Sequence, residues 1–179
     1  MAETSLLPRL LGKDYDKLPG ALRAVHDSDG NLLLAGRADI DRRPGLLAWM
    51  ICALMGLPEQ GRDVVVTAEF VRQGISEIWK RRFGDRRYSS TMSPGAAKGE
   101  LVECFGPFTL VFALQADATR LALNLKTCSL FGIPLPTFLR PCCQAEEREE
   151  NARFVFDIPL DLPFLGQILR YRGWLVAVN

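Results

Sequence analysis

The chain has 179 residues, 22 Lys and Arg against 21 Asp and Glu, a single histidine and 48% hydrophobic residues. This composition fits one ordinary globular domain over residues 1–179. It leaves no basic excess for a nucleic-acid binder that neutralises phosphates, and the lone His26 excludes catalytic metal sites that need two or three imidazoles.

The first thirty residues contain no basic start followed by an unbroken apolar stretch, so no secretory signal is expected. Leu6, Leu7, Leu10 and Leu11 recur at helical spacing, and Gly12 stops that helix. Leu18, Leu22 and Val25 make a second short stripe, with His26 at its end before a turn at Asp27-Ser28-Asp29-Gly30. A strand is predicted over 32–40, then a helix over 45–57 bounded by Pro44, Gly56 and Pro58. That helix lies in the longest apolar stretch, residues 45–58, which is short of the about 20 residues a membrane span needs, so it reads as a buried core helix.

From Asp63 the pattern changes to period two. Val64, Val66, Ala68 and Phe70 share one face of a strand, and Gln73-Gly74 turns the chain into a second strand over 77–83. Further strands are expected over 101–105, 109–115, 121–126, 153–158 and 171–178. Segments 92–99 and 141–151 read as loops, the second because of Glu146-Glu147-Arg148-Glu149-Glu150. The fold class is therefore α+β: N-terminal helices followed by a curved antiparallel sheet or partial β-barrel gripping the apolar helix. Five cysteines with no Cys-x-x-Cys pair suit a reduced, cytoplasmic protein without metal or cofactor.

Segment 77–83 carries the most chemistry. On a strand, Glu77, Trp79, Arg81 and Phe83 share one face, while Lys80 and Arg82 lie on the other, the solvent face. Arg81 then points inward between two aromatics, and a buried guanidinium needs a carboxylate, an aromatic face or an anionic ligand. Glu103, flanked on its own face by Leu101 and Phe105, can supply the carboxylate as a bidentate pair if the two strands are neighbours. Two readings stay open: a structural pair fixing strand register, or the polar centre of an apolar pocket. The basic run 72–87 is assigned mostly to the solvated face.

No nucleophile elbow, dinucleotide fingerprint or P-loop is present. The proton carriers left are Glu103 and His26. Several motifs then occur together in order: Leu11-Gly12, His26, Gly36, Trp79-x-Arg81-x-Phe83, Ser89, Glu103-x-Phe105-Gly106, Gly132-Ile133-Pro134-Leu135-Pro136, Glu146, Arg153-Phe154-x-Phe156-Asp157 and Tyr171-Arg172-Gly173-Trp174-Leu175. In this the chain resembles, over about residues 5–176, the bacterial domain-of-unknown-function family numbered four-one-six-six. Members of that family often follow a saccharopine-dehydrogenase-like NAD(P)-binding domain, and no such domain is expected within these residues. The resemblance implies a small-molecule setting and no carried-over catalytic residues.

The expected function is binding of an apolar or amphipathic small molecule, with a carboxylate or phosphate on Arg81 and Glu103 beside it. Trp79, Phe83 and Phe105 would form the walls. The alternatives are an enzyme (hydrolase, isomerase or cyclase) acting on a hydrophobic substrate through Glu103 or His26, and an interaction module for a separate reductase-like protein. No nucleic-acid partner and no transmembrane segment are expected.

Overall fold

Residues that alternate between apolar and polar along most of the chain after residue 31 form strands longer and more numerous than the local pattern marks. The computed structural model describes residues 5–27 and 31–178, so Ser28, Asp29 and Gly30 of the expected turn lie outside the described residues. The strands are β1 (Leu32–Arg42), β2 (Gly61–Gln73), β3 (Ser76–Phe83), β4 (Arg86–Pro94), β5 (Glu100–Phe105) and β6 (Phe108–Ala116). They continue with β7 (Arg120–Leu130), the two-residue β8 (Ile133–Pro134), β9 (Gln144–Glu150), β10 (Arg153–Leu162) and β11 (Gly166–Ala177).

Neighbours run in the order β6-β5-β4-β3-β2-β1-β11-β10-β9-β7, and β7 pairs back onto β6, so ten antiparallel strands close a barrel. The expected partial barrel is thus a complete one, and closure leaves only the short β8 as an added edge. The inner wall carries Leu34, Ala38 and Ile40 from β1, Val66, Ala68 and Phe70 from β2, and Phe154 and Phe156 from β10, all buried. Two motif glycines explain the β1–β11 seam. A Cβ on Gly36 would lie 1.8 Å from the Trp174 carbonyl oxygen, and one on Gly173 would lie 2.1 Å from that of Arg37. Only glycine lets the two backbones approach this closely.

Helices α1 (Leu6–Leu11) and α2 (Gly20–His26), joined by a 3-10 turn over Gly12–Lys17, seal the end of the barrel where β1 begins. Their apolar faces are fully spent on the core: Leu6, Leu7, Leu10, Leu11, Leu18, Leu22 and Val25 are all buried. Tertiary packing of that face stabilises helices too short to persist alone. This is the lower end.

Helix α3 (Leu46–Leu54) links β1 to β2 at the upper end, and here the sequence reading needs correction. Pro44 and Gly56 do bound it, but it is not a core helix gripped by the sheet. Only Ala48 and Cys52 are buried, while Leu46, Leu47, Trp49, Met50 and Leu54 are exposed. The helix rests on the rim instead, with its two buried residues turned toward the barrel. Two strands were also read as loop. β4 spans part of 92–99 and the unassigned residues before it, and β9 occupies the acidic run. In β9 the alternation is real but carried by charge: Ala145 and Glu147 point inward, Glu146 and Arg148 outward.

Candidate ligand cavity in the upper barrel

The predicted inner face of β3 is the observed one. Glu77, Trp79 and Phe83 are buried and Arg81 nearly so, while Lys80 and Arg82 face solvent. β5 does not pair with β3, however. β4 lies between them, with Arg81 opposite Tyr88, and Met92 opposite both Glu77 and Glu103. Arg81 reaches across β4: its Nη1 donates to Ser90 Oγ at 2.9 Å and to Glu103 Oε1 at 3.3 Å. The pair therefore exists, but as one long contact through a single nitrogen, not the bidentate fork expected from adjacent strands. Both side chains keep about 15% exposure toward the cavity.

The rest of the guanidinium is held by ring faces. Its carbon lies 5.0 Å from the Trp79 ring centroid and 5.5 Å from that of Tyr88. Burial by itself would lower the Arg81 pKa, but the Glu103 carboxylate and the two neighbouring tyrosines more than offset it, and the group is held charged. Burial raises the pKa of Tyr88 and Tyr171, against the opposing Arg81 cation, so both phenols stay protonated donors. The Tyr88 hydroxyl is buried beside Tyr171 and makes no hydrogen bond of good geometry among the described residues.

These groups line a cavity of about 120 Å³ whose remaining wall is apolar. Phe105, Phe112, Leu123 and Leu169 line it, and Met55, Leu57, Phe108 and Pro141 stand at its upper margin. Cys143 is also in the wall. Burial first, and then the Glu103 carboxylate, pushes its thiol up to about 12. A smaller cavity of about 50 Å³ lies against it, sharing Trp79, Arg81, Glu147 and Tyr171. Of the predicted ligand-binding residues, Trp79, Arg81, Glu103 and Phe105 come together in the larger cavity, whereas Phe83 lines only the smaller one.

His26 is not in the cavity wall but stands directly behind it. Its ring stacks on Trp79 at 5.8 Å between centroids and its Nε2 lies 2.7 Å from Glu147 Oε2. Glu147, which lines both cavities, therefore connects His26 to the polar centre. Glu77 is turned to the lower end, where it accepts hydrogen bonds from the Leu6 backbone N–H and Trp79 Nε1, both at 3.0 Å. Among the described residues no cluster of three or more His, Cys, Asp or Glu is placed to hold a metal ion.

A family model described as a domain of unknown function, DUF4166, matches residues 18–175. The chain belongs to the DUF4166 family. No match was found among curated proteins or solved structures. The motifs that carried the resemblance map onto this DUF4166 barrel with distinct jobs: Trp79, Arg81, Glu103 and Tyr171 at the cavity, Gly36 and Gly173 at the seam.

Sequence reasoning missed Tyr88, Ser90 and Glu147 in this site. A signal existed for the first two, since Tyr88, Ser90 and Met92 alternate on one face. Glu147 was hidden by the charges around it, and only the single histidine hinted that one of those carboxylates had to turn inward. Tyr171 and Trp174 fall on opposite faces of β11. Tyr171 lines the cavity, while Trp174 stacks under Arg153, whose guanidinium carbon is 4.5 Å from its ring centroid.

Proposed function

We propose that the barrel binds a small apolar or amphipathic molecule carrying a carboxylate or phosphate, with the anionic group on Arg81 and the apolar part against the wall toward Met55 and Phe108. The observation that carries this reading is the unused donor capacity at the cavity's polar centre. Arg81 engages acceptors only through Nη1, leaving Nε and Nη2 without an acceptor among the described residues, and the buried Tyr88 hydroxyl stands beside it against Tyr171. A planar guanidinium with a free edge suits a carboxylate or phosphate. Glu103 already balances one unit of charge, so the ligand would complete a carboxylate–guanidinium–carboxylate row, with the Tyr88 hydroxyl beside it.

Volume limits the ligand. At about 120 Å³ the cavity is close to the ~150 Å³ that admits a benzene-sized molecule and well below the ~300 Å³ or more of drug-sized sites. Short acyl chains and single rings fit this class.

Isothermal titration with octanoate, octyl phosphate and octanol tests the reading. Octanoate is expected to bind about tenfold or more tighter than octanol, a gap of about 1.4 kcal/mol. Glu103→Gln removes the competing carboxylate and should tighten octanoate, while the double variant Arg81→Gln/Glu103→Gln should bind octanoate and octanol alike. Saturable binding of none of the three, or an acid preference that survives the double variant, would sink the proposal.

One observation favours a second reading, an enzyme acting on a hydrophobic substrate. The carboxylate of Glu147 faces the cavity and is hydrogen-bonded to His26, the arrangement a proton relay needs. Glu147 with His26, more than Glu103, would then move the proton. Mass spectrometry of a lipophilic cell extract incubated with the wild type or with His26→Gln decides it. A product made only by the wild type is expected, and identical spectra would remove this reading while leaving ligand binding intact.

A further inference from the structure

The upper end of the barrel exposes apolar side chains that no described residue covers. Of fifteen exposed large hydrophobic residues among the described residues, ten lie in three upper connections: α3, the β7–β9 segment and the β10–β11 turn. Leu46, Trp49 and Leu54 project from α3, Phe131 and Phe138 from the second, and Phe164, 93% exposed, from the third. A helix apolar on every side is expected to be buried all round; α3 buries only Ala48 and Cys52. Exposed patches of this kind mark interaction sites. The same connections surround the cavity, since Met55 and Leu57 after α3, Phe108 and Pro141 line its upper margin.

Charge at this end points to the occupant. Arg62, Arg82 and Arg86 are tied to Asp41, Asp85 and Glu59. Arg43, Arg87 and Arg140 form no salt bridge among the described residues, against one acid of this end that forms none, Asp161. Arg43 and Arg87 are exposed, and Arg140 donates to the Lys126 carbonyl. Apolar side chains ringed by uncompensated arginines match an anionic bilayer surface, whose acyl region takes the former and whose headgroups take the latter. The barrel's side wall cannot take that place, because its outer face carries Arg37, Asp39, Glu69, Lys80 and Arg82.

We propose that the upper rim docks on an anionic membrane surface, α3 and the loops around it entering the acyl–headgroup boundary and the free arginines contacting lipid phosphates. This places the mouth of the cavity against the bilayer, the source of an amphipathic ligand. The docking itself needs no bound ligand, so its test is separate from that of the cavity.

The experiment is flotation of the full chain with equimolar phosphatidylglycerol–phosphatidylcholine vesicles and with pure phosphatidylcholine vesicles, alongside sedimentation velocity without lipid. The wild type is expected to float with the anionic vesicles and only weakly with the neutral ones. Trp49→Ser/Phe164→Ser, both on exposed side chains, should weaken binding about tenfold or more, and Arg43→Gln about fivefold. Ile75→Ser, equally exposed but at the lower end, should bind as the wild type. The proposal is overturned if neither vesicle floats the wild type, if the rim variant floats unchanged, or if the rim instead holds a dimer that Trp49→Ser/Phe164→Ser converts to monomer without any vesicle binding.

Discussion

The two ends of the barrel are closed by short helices of opposite character. Below, α1 and α2 alternate buried leucines with Arg9, Ala24 and Arg23 on the outside, so each helix has one face for the core and one for water. Above, α3 has no charged side chain in Leu46–Leu54 and buries only Ala48 and Cys52. An amphipathic helix declares which side is solvent, and its packing completes the fold. A uniformly apolar helix on a rim has a second apolar face that the fold does not use. The lower end is thus a plug, and the upper end a mouth with a surface of its own.

Breaking the plug should cost most. Glu147→Ala leaves His26 buried without its carboxylate, and Leu22→Ala opens a cavity at a position with no exposure at all. The second is expected to lose about 2–5 kcal/mol and the first about 1–3 kcal/mol, read from urea unfolding. The matched change above, Leu54→Ala, should stay within about 0.5 kcal/mol. Equal losses for Leu22→Ala and Leu54→Ala would erase the distinction between the ends.

A smaller effect lies on the outer wall just below the mouth. Arg170 holds Asp157 through two hydrogen bonds of 2.8 and 2.6 Å, which keep that carboxyl below its usual range. A depressed folded pKa stabilises above the unfolded value, near about pH 4, and the gain is lost as pH falls through the folded value. With Arg170 partly exposed, the contribution is about 1 kcal/mol or less. Asp157→Asn should therefore reduce stability at neutral pH and flatten the acid side of the stability curve, and an unchanged acid limb would deny the pair any role.

The smallest effect is on reactivity. Cys104 and Cys142 are exposed while Cys52, Cys128 and Cys143 are buried, and burial raises the pKa of Cys128 and lifts that of Cys143 to about 12. At about pH 8 a thiol reagent should label two cysteines quickly and three only on unfolding. Fast labelling of Cys143 would mean that the upper cavity opens more freely than the lower core.

Much of the site was legible because strand alternation is a local property. Trp79, Arg81 and Phe83 on one face, and Glu103 and Phe105 on another, follow from spacing alone, and the structure keeps both faces inward. Which strands are neighbours is not local. β4 has too few β-branched residues to announce itself, so β3 and β5 read as possible neighbours, whereas β4 lies between them and Arg81 meets Glu103 by reaching across it. Closure of the barrel through β1–β11 and β7–β9 depends on contacts between separated segments that no window of sequence displays. The acidic β9 was illegible for another reason: Glu147 faces inward only because His26 waits there, and Glu149 turns to the N-terminus of α2, accepting from the Ala21 N–H at 2.7 Å. The apolar pattern of α3, finally, is the same whether its faces meet a core or something outside the chain.

The most direct measurement of the central claim, a cavity whose polar centre is Arg81 and whose mouth is the upper rim, is a crystal structure with an octanoate brominated at its terminal carbon. The expected result places the carboxylate at about 3 Å from Arg81 Nε or Nη2, with the anomalous bromine peak toward Met55 and Phe108. A bromine peak buried beside Arg81 with the carboxylate outside, or a peak only on the outer surface of α3, would contradict it.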